Sequence, residues 1–155
     1  MSKVARDIMT EGVITVEKKT SLNDLVTLFL ENKISCAPVI DTKNAIIGIV
    51  TKTDIVGHFL DIDLEISVKV MLQDALEHYT EHPQTEITTA AELDVGSIMT
   101  RNPLTADVNT PIDELANNMI DHNIHRLIIT ENGEICGIIS TLDILYHVSG
   151  REKNE

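Results

Sequence analysis

Aromatic side chains are nearly missing from this sequence of 155 residues, which has no Trp, 2 Phe and 2 Tyr. A platform for stacking bases is therefore not expected. Basic residues are scarce too: 12 Lys and Arg stand against 25 Asp and Glu, for a net charge of −13. Phosphate backbones need basic stripes, so DNA and RNA are not expected partners. Cysteine is limited to Cys36 and Cys136, without paired spacing. That predicts reduced thiols rather than a disulfide framework. No apolar run approaches the roughly 18 residues of a membrane span, and the opening MSKVARDIMTEG has no leader-like apolar segment. The expectation is a soluble cytoplasmic chain without membrane association. No Ser-His-Asp, Cys-His, phosphate-loop or dinucleotide-fold motif is found, so no enzymatic activity is expected.

What the chain does have is 43% hydrophobic residues, enough to bury a core without staples. It also has a duplication. Ile8-Met9-Thr10 returns as Ile98-Met99-Thr100, and Thr15, Thr20, Leu25 and Ile34 return at the same offset as Thr105, Thr110, Leu115 and Ile124. After one deletion in a turn, Gly48, Asp54, Ile55 and His58 pair with Gly137, Asp143, Ile144 and His147. Such register over some fifty residues marks a repeat of one supersecondary unit. Repeat one covers 1–60 and repeat two 94–150. Between them lies a connector, 61–93, which is strongly acidic, and residues 151–155 form a polar tail.

Each repeat reads as β-α-β-β-α. A short extended segment (Val13–Val16, Leu104–Ala106) precedes a helix whose apolar residues recur at helical spacing: Leu22, Leu25, Val26 and Phe29, then Ile112, Leu115, Ala116, Met119 and Ile120. Thr20 and Thr110 are the expected N-caps, Thr110 with Pro111 in the first turn and Asp113 closing a capping box. Two β-rich runs follow (Ala37–Ile40 and Ile46–Val50; Leu127–Ile129 and Ile135–Ile139), and Asn132-Gly133 predicts a tight hairpin. A second helix begins near Lys52 or Thr141. One copy is too small to cover both faces of its sheet. The expected fold class is mixed α/β (α+β): two pseudo-twofold-related repeats packed sheet to sheet, with a helical connector. In that connector Val68, Leu72, Ala75, Leu76 and Tyr79 follow helical spacing. His78 and His82 stand one turn apart there without a third ligand, and no metal site is expected.

The chemistry-bearing residues are at the junction of last strand and last helix: Gly48-Ile-Val-Thr51-Lys52-Thr-Asp54 and Gly137-Ile-Ile-Ser140-Thr141-Leu-Asp143. Together with the paired Ile-Met-Thr openings and Pro38-Val-Ile-Asp, this resembles a tandem CBS (cystathionine-β-synthase-type) domain pair, or Bateman module, over nearly all the chain except the connector. The resemblance implies a regulatory module with adenosyl ligands, chiefly AMP, ADP or ATP, bound between the repeats. It assigns ribose to Asp54 and Asp143, and phosphate to Thr51 and Ser140. Physical chemistry agrees: a helix N-terminus suits phosphate, and a carboxylate can accept hydrogen bonds from a ribose diol. Thr141, His125 and Arg126 are further phosphate candidates, with Lys52 and Arg101 weaker ones. His125 and Arg126 have only Ser35 and Cys36 as counterparts, which predicts unequal sites. Candidate base-pocket residues are Ile14, Ile34, Ala37 and Pro38 in one copy and Leu104, Ile124, Leu127 and Ile128 in the other. The resemblance also implies a homodimer, and with no effector domain evident in the sequence the signal is expected to pass to an effector protein or through self-association. Other readings stay open. Thr51-x-x-Asp54 and Ser140-x-x-Asp143 are equally helix caps. The module can also serve protein interaction without a ligand, or sense S-adenosylmethionine or a metal.

Overall fold

The computed structural model describes residues 3–61 and 93–151. The connector helix expected around Val68–Tyr79, with His78 and His82, lies outside the described residues. In chain order the elements are a 3-10 turn (Ala5–Asp7), β1 (Val16–Glu17), α1 (Leu22–Glu31), β2 (Cys36–Ile40) and β3 (Ile46–Thr51). Helix α2 occupies residues 52–61. There follow α3 (Val95–Ile98), β4 (Thr100–Arg101), β5 (Thr105–Asp107), α4 (Ile112–Asp121), β6 (Arg126–Glu131), β7 (Glu134–Ser140) and α5 (Thr141–Ser149). The β-α-β-β-α order therefore holds in both repeats. Each helix stripe turns inward: Leu22, Leu25 and Phe29 are buried on α1, Ile112, Leu115 and Met119 on α4. A large apolar side chain buried this way contributes about 1.5–3 kcal/mol. The hairpin at Asn132-Gly133 forms with both residues at positive φ (53° and 87°), as a type I′ turn requires.

The two repeats are not independent packing units. β1-β2-β3-β4 make one sheet and β5-β6-β7 the other. β4 comes from the opening of repeat two, yet pairs antiparallel with β3 of repeat one, Gly48 against Arg101 and Ile49 against Thr100. Reciprocally, Thr10 of repeat one exchanges both backbone hydrogen bonds with Ile138 of repeat two, at 2.9 and 3.0 Å. Val95 is buried in the core of the first sheet, and Ala5 in that of the second. Each repeat thus lends its Ile-Met-Thr opening to the other. This explains why a methionine and a distant glycine recur together. A Cβ on Gly48 would stand 2.7 Å from Sδ of Met99, and one on Gly137 would meet Met9 in the same way. Only glycine leaves room for the partner repeat's methionine.

The exchange also moves the helix starts. The N-cap of α1 is Ser21, whose hydroxyl accepts from the Asp24 N–H at 3.1 Å, rather than the expected Thr20. Thr20 instead accepts from the Glu17 N–H. In repeat two the cap position falls on Pro111, which has no side-chain cap bond, so Thr110 is not an N-cap and Asp113 closes no capping box. The physical reason is backbone supplied by the opening of the other repeat and, at Leu93, by the end of the connector. Leu22 N–H donates to Leu93 O and Ile112 N–H to Lys3 O; Thr20 O accepts from Val95 and Thr110 O from Ala5. These bridges hold the residue before each helix extended and satisfy helix-end donors that a side chain would otherwise cap.

Pro38 accounts for one asymmetry. β5 pairs with β6 over three residues, starting at Thr105 against Ile128. β1 pairs with β2 over two, starting at Val16 against Val39. The missing pair falls on Pro38, the counterpart of Ile128, which has no N–H to donate.

Candidate functional site

The β3–α2 and β7–α5 corners carry the motif residues. At the second corner Ser140 is the N-cap of α5, and its hydroxyl accepts from the Asp143 N–H. Oδ2 of Asp143 in turn accepts from the Ser140 N–H at 2.6 Å and from its hydroxyl at 2.7 Å. Thr51 and Asp54 make the same three bonds at the first corner. Both motifs are therefore working capping boxes, a reading the spacing had left open. The Thr141 N–H donates to His125 O, and the Lys52 N–H to Ser35 O. These backbone donors at the helix ends are therefore engaged within the protein, so the helix N-termini, expected to suit phosphate, present few free N–H groups.

A cleft of about 530 Å³ opens beside the second corner, within the ~300–1,000 Å³ usual for small-molecule sites. Ser140, Thr141 and Asp143 form one edge, and His125 and Arg126, at the start of β6, stand beside them. The opposite wall comes from repeat one: the strap Thr10–Ile14, which leads from the exchanged bridge toward β1, and the turn Lys33–Cys36 after α1. Ile14, Ile34 and Ile138 supply apolar surface. The Arg126 guanidinium crosses between repeats and donates to Ser35 Oγ at 2.7 Å. Cys36, half-buried beside it, has its thiol pushed up by burial and drawn partly back by Arg126. At neutral pH it is protonated and a weak nucleophile.

The structure thus gathers Ile14, Ile34, His125, Arg126, Ser140, Thr141 and Asp143 around one cleft. It does not bring the other predicted residues there. Ala37, Leu127 and Ile128 have no exposed surface, and Pro38 is buried between Ala37 and Val39 on a strand covered on both faces. They are core residues and cannot face a base. Leu104 packs against the second core. Ile124 lines an apolar groove of about 430 Å³ between α4 and α5. Lys52 lines a small cavity with Val26, Phe29 and Ile55, and Thr51 and Asp54 border none of the cavities described. Sequence reasoning missed Glu11, Lys33 and Ser35. Glu11 is adjacent to the cleft through the exchanged opening segment, and Lys33 and Ser35 through the turn after α1 that meets Arg126, and no periodicity reports either.

Among the described residues no cluster of His, Cys, Asp and Glu has the makings of a metal site, and no helix is long and apolar enough to cross a membrane. The CBS domain family model matches twice, over residues 5–61 and 95–150. The chain belongs to the CBS domain family. A CBS domain pair is a regulatory module. The chain is 29% identical over 150 residues to the protein MJ1426 of Methanocaldococcus jannaschii, covering 90% of this chain and 88% of that one. It spans only 42% and 24% of two further curated relatives. Among solved CBS structures, CBSX2 in complex with AMP superposes with a TM-score of 0.67 at 23% identity, covering 96% of this chain and 97% of that one. The CBS pair of MJ0100, in complex with 5′-methylthioadenosine and S-adenosyl-L-methionine, gives 0.70 at 22%, covering 98% and 100%.

Proposed function

We propose that this CBS pair is a cytoplasmic, non-catalytic sensor that binds an adenine nucleotide, AMP, ADP or ATP, between its repeats and signals to an effector protein as a homodimer. One observation carries the reading: a single cleft joins an arginine held across the repeat boundary, apolar walls and the Ser140–Asp143 corner. Arg126 takes the phosphate as a fork, His125 and Thr141 add donors, Asp143 faces the ribose, and the base lies against Ile14 and Ile34. The ligands of CBSX2 and MJ0100 support an adenosyl group. Because both repeats line the cleft, a ligand that prefers one of their relative orientations shifts the population toward it. Thr51 and Asp54 border none of the cavities described, and Cys36 stands where Arg126 does in the other copy, so the first corner serves as a helix cap and the second corner carries the ligand. Exposed apolar residues on α4 and α5, among them Ile120 and Val148, both 75% exposed, are the surface for a second copy.

The test is a thermal-shift panel of AMP, ADP, ATP, S-adenosylmethionine and zinc, followed by calorimetry. A nucleotide at a hundred times its Kd stabilises by about 2.7 kcal/mol. Asp143→Ala should weaken the site about tenfold or more, and Asp54→Ala should leave it unchanged. A shift with zinc alone, or with no ligand, rejects the reading. The latter outcome favours a pure interaction module, in which the two capping boxes are structural.

A further inference from the structure

We propose that the cleft is a monophosphate site: Arg126, positioned by Ser35, is its one fixed phosphate anchor, and Glu11 sets a charge limit that disfavours polyphosphates. This rests on the nucleotide reading above and narrows it.

The charged side chains lining the cleft are Lys33 and Arg126 on one side of the balance and Glu11 and Asp143 on the other, with His125 beside them. With a neutral imidazole the cleft is balanced, inside a chain of net charge −13. A phosphomonoester, with a charge of about −1.5 to −2, finds one guanidinium fork. A triphosphate adds roughly two more negative charges, and only Lys33 remains to meet them. That lysine is exposed at the turn after α1, and a hydrated ammonium on a flexible stem is the weaker partner. Glu11, on the facing strap, repels the added charge. The helix end offers little compensation, since the N–H groups of Ser140, Thr141 and Asp143 are engaged and only that of Leu142 remains in its first turn.

Arg126, by contrast, is held before any ligand arrives. Its guanidinium donates to Ser35 Oγ at 2.7 Å. The Ser35 carbonyl accepts from Lys52 at 3.0 Å, which fixes the backbone behind it. A fork held this way loses less freedom on binding phosphate. Ser35 and Cys36 are the repeat counterparts of His125 and Arg126. The duplication has thus diverged into one arm carrying the charge and one arm positioning it.

Calorimetry in magnesium-free buffer with adenosine, AMP and ATP tests this on the wild type, Ser35→Ala, Ser35→Thr and Glu11→Gln. The wild type should bind AMP about tenfold more tightly than ATP. Ser35→Ala should weaken AMP several-fold without changing adenosine, and Ser35→Thr should restore it. Glu11→Gln should narrow the gap between AMP and ATP and leave adenosine unchanged. ATP binding as tightly as AMP overturns the proposal, as does an unchanged ratio in Glu11→Gln, or equal losses of adenosine and AMP in Ser35→Ala. Should no adenosyl ligand bind the wild type, the nucleotide reading fails together with this one; AMP binding without these differences removes only the narrowing.

Discussion

Gly137 and Met9 belong to different repeats, and neither is informative alone. Their meaning is contact: the sulfur of Met9 occupies the volume a side chain at 137 would need. Gly137→Ala should destabilise the fold by roughly 1–3 kcal/mol through overpacking. Met9→Ala should destabilise by a smaller amount, because Met9 is only half-buried. The double variant should be more stable than the sum of the two losses predicts, since shortening Met9 makes room for the new methyl group. Urea denaturation of the four proteins measures the coupling; strict additivity would show that the contact is not felt. At this scale the motif residues divide in the same way. Asp143 is legible in the sequence as a conspicuous carboxylate and does line the cleft. Ala37, Leu127 and Ile128 carry apolar character that fits a base pocket and a core equally well, and only their burial separates the two.

Helix α1 shows what an element takes from its own sequence and what it takes from elsewhere. The stripe Leu22, Leu25, Phe29 sets its existence and its inward face. Its start is set by Ser21 together with a backbone bridge to Leu93 and Val95. The bridges to Lys3 and Ala5 do the same for α4, where no side chain caps. Ser21→Ala should therefore cost about 1 kcal/mol of stability. Thr110→Ala, at the residue local chemistry marks as a cap, should change stability by no more than a few tenths. Equilibrium unfolding separates the two; a loss above 1 kcal/mol at Thr110 would mean that its hydroxyl caps the helix after all. The strand lengths follow a rule that was readable: Pro38 removes one donor, and β1 is one pair shorter than β5.

For the whole molecule, the exchange of opening segments makes the two repeats one cooperative object. Each core contains a residue from the other half, Val95 in the first and Ala5 in the second. The outer faces of α4 and α5 remain apolar: Ile120, Leu142, Leu145 and Val148 are 55–75% exposed. We expect wild type to be a dimer by light scattering, and Ile120→Asp with Val148→Lys to be a monomer with an unchanged melting temperature at low concentration. A monomeric wild type, or a dimer that survives both charges, would place the interface elsewhere.

The duplication, the order β-α-β-β-α, the inward stripes, the Asn132-Gly133 turn and the two hydroxyl–carboxylate corners follow from the sequence alone, because each is a local property of spacing or turn chemistry. The strap at Glu11, the Ser35–Arg126 bond, the true helix caps and the separation of cleft residues from core residues were decided only in three dimensions. Each depends on which backbone lies beside which, and the chain makes that choice by exchanging strands between its halves, an event that no hydrophobic period records.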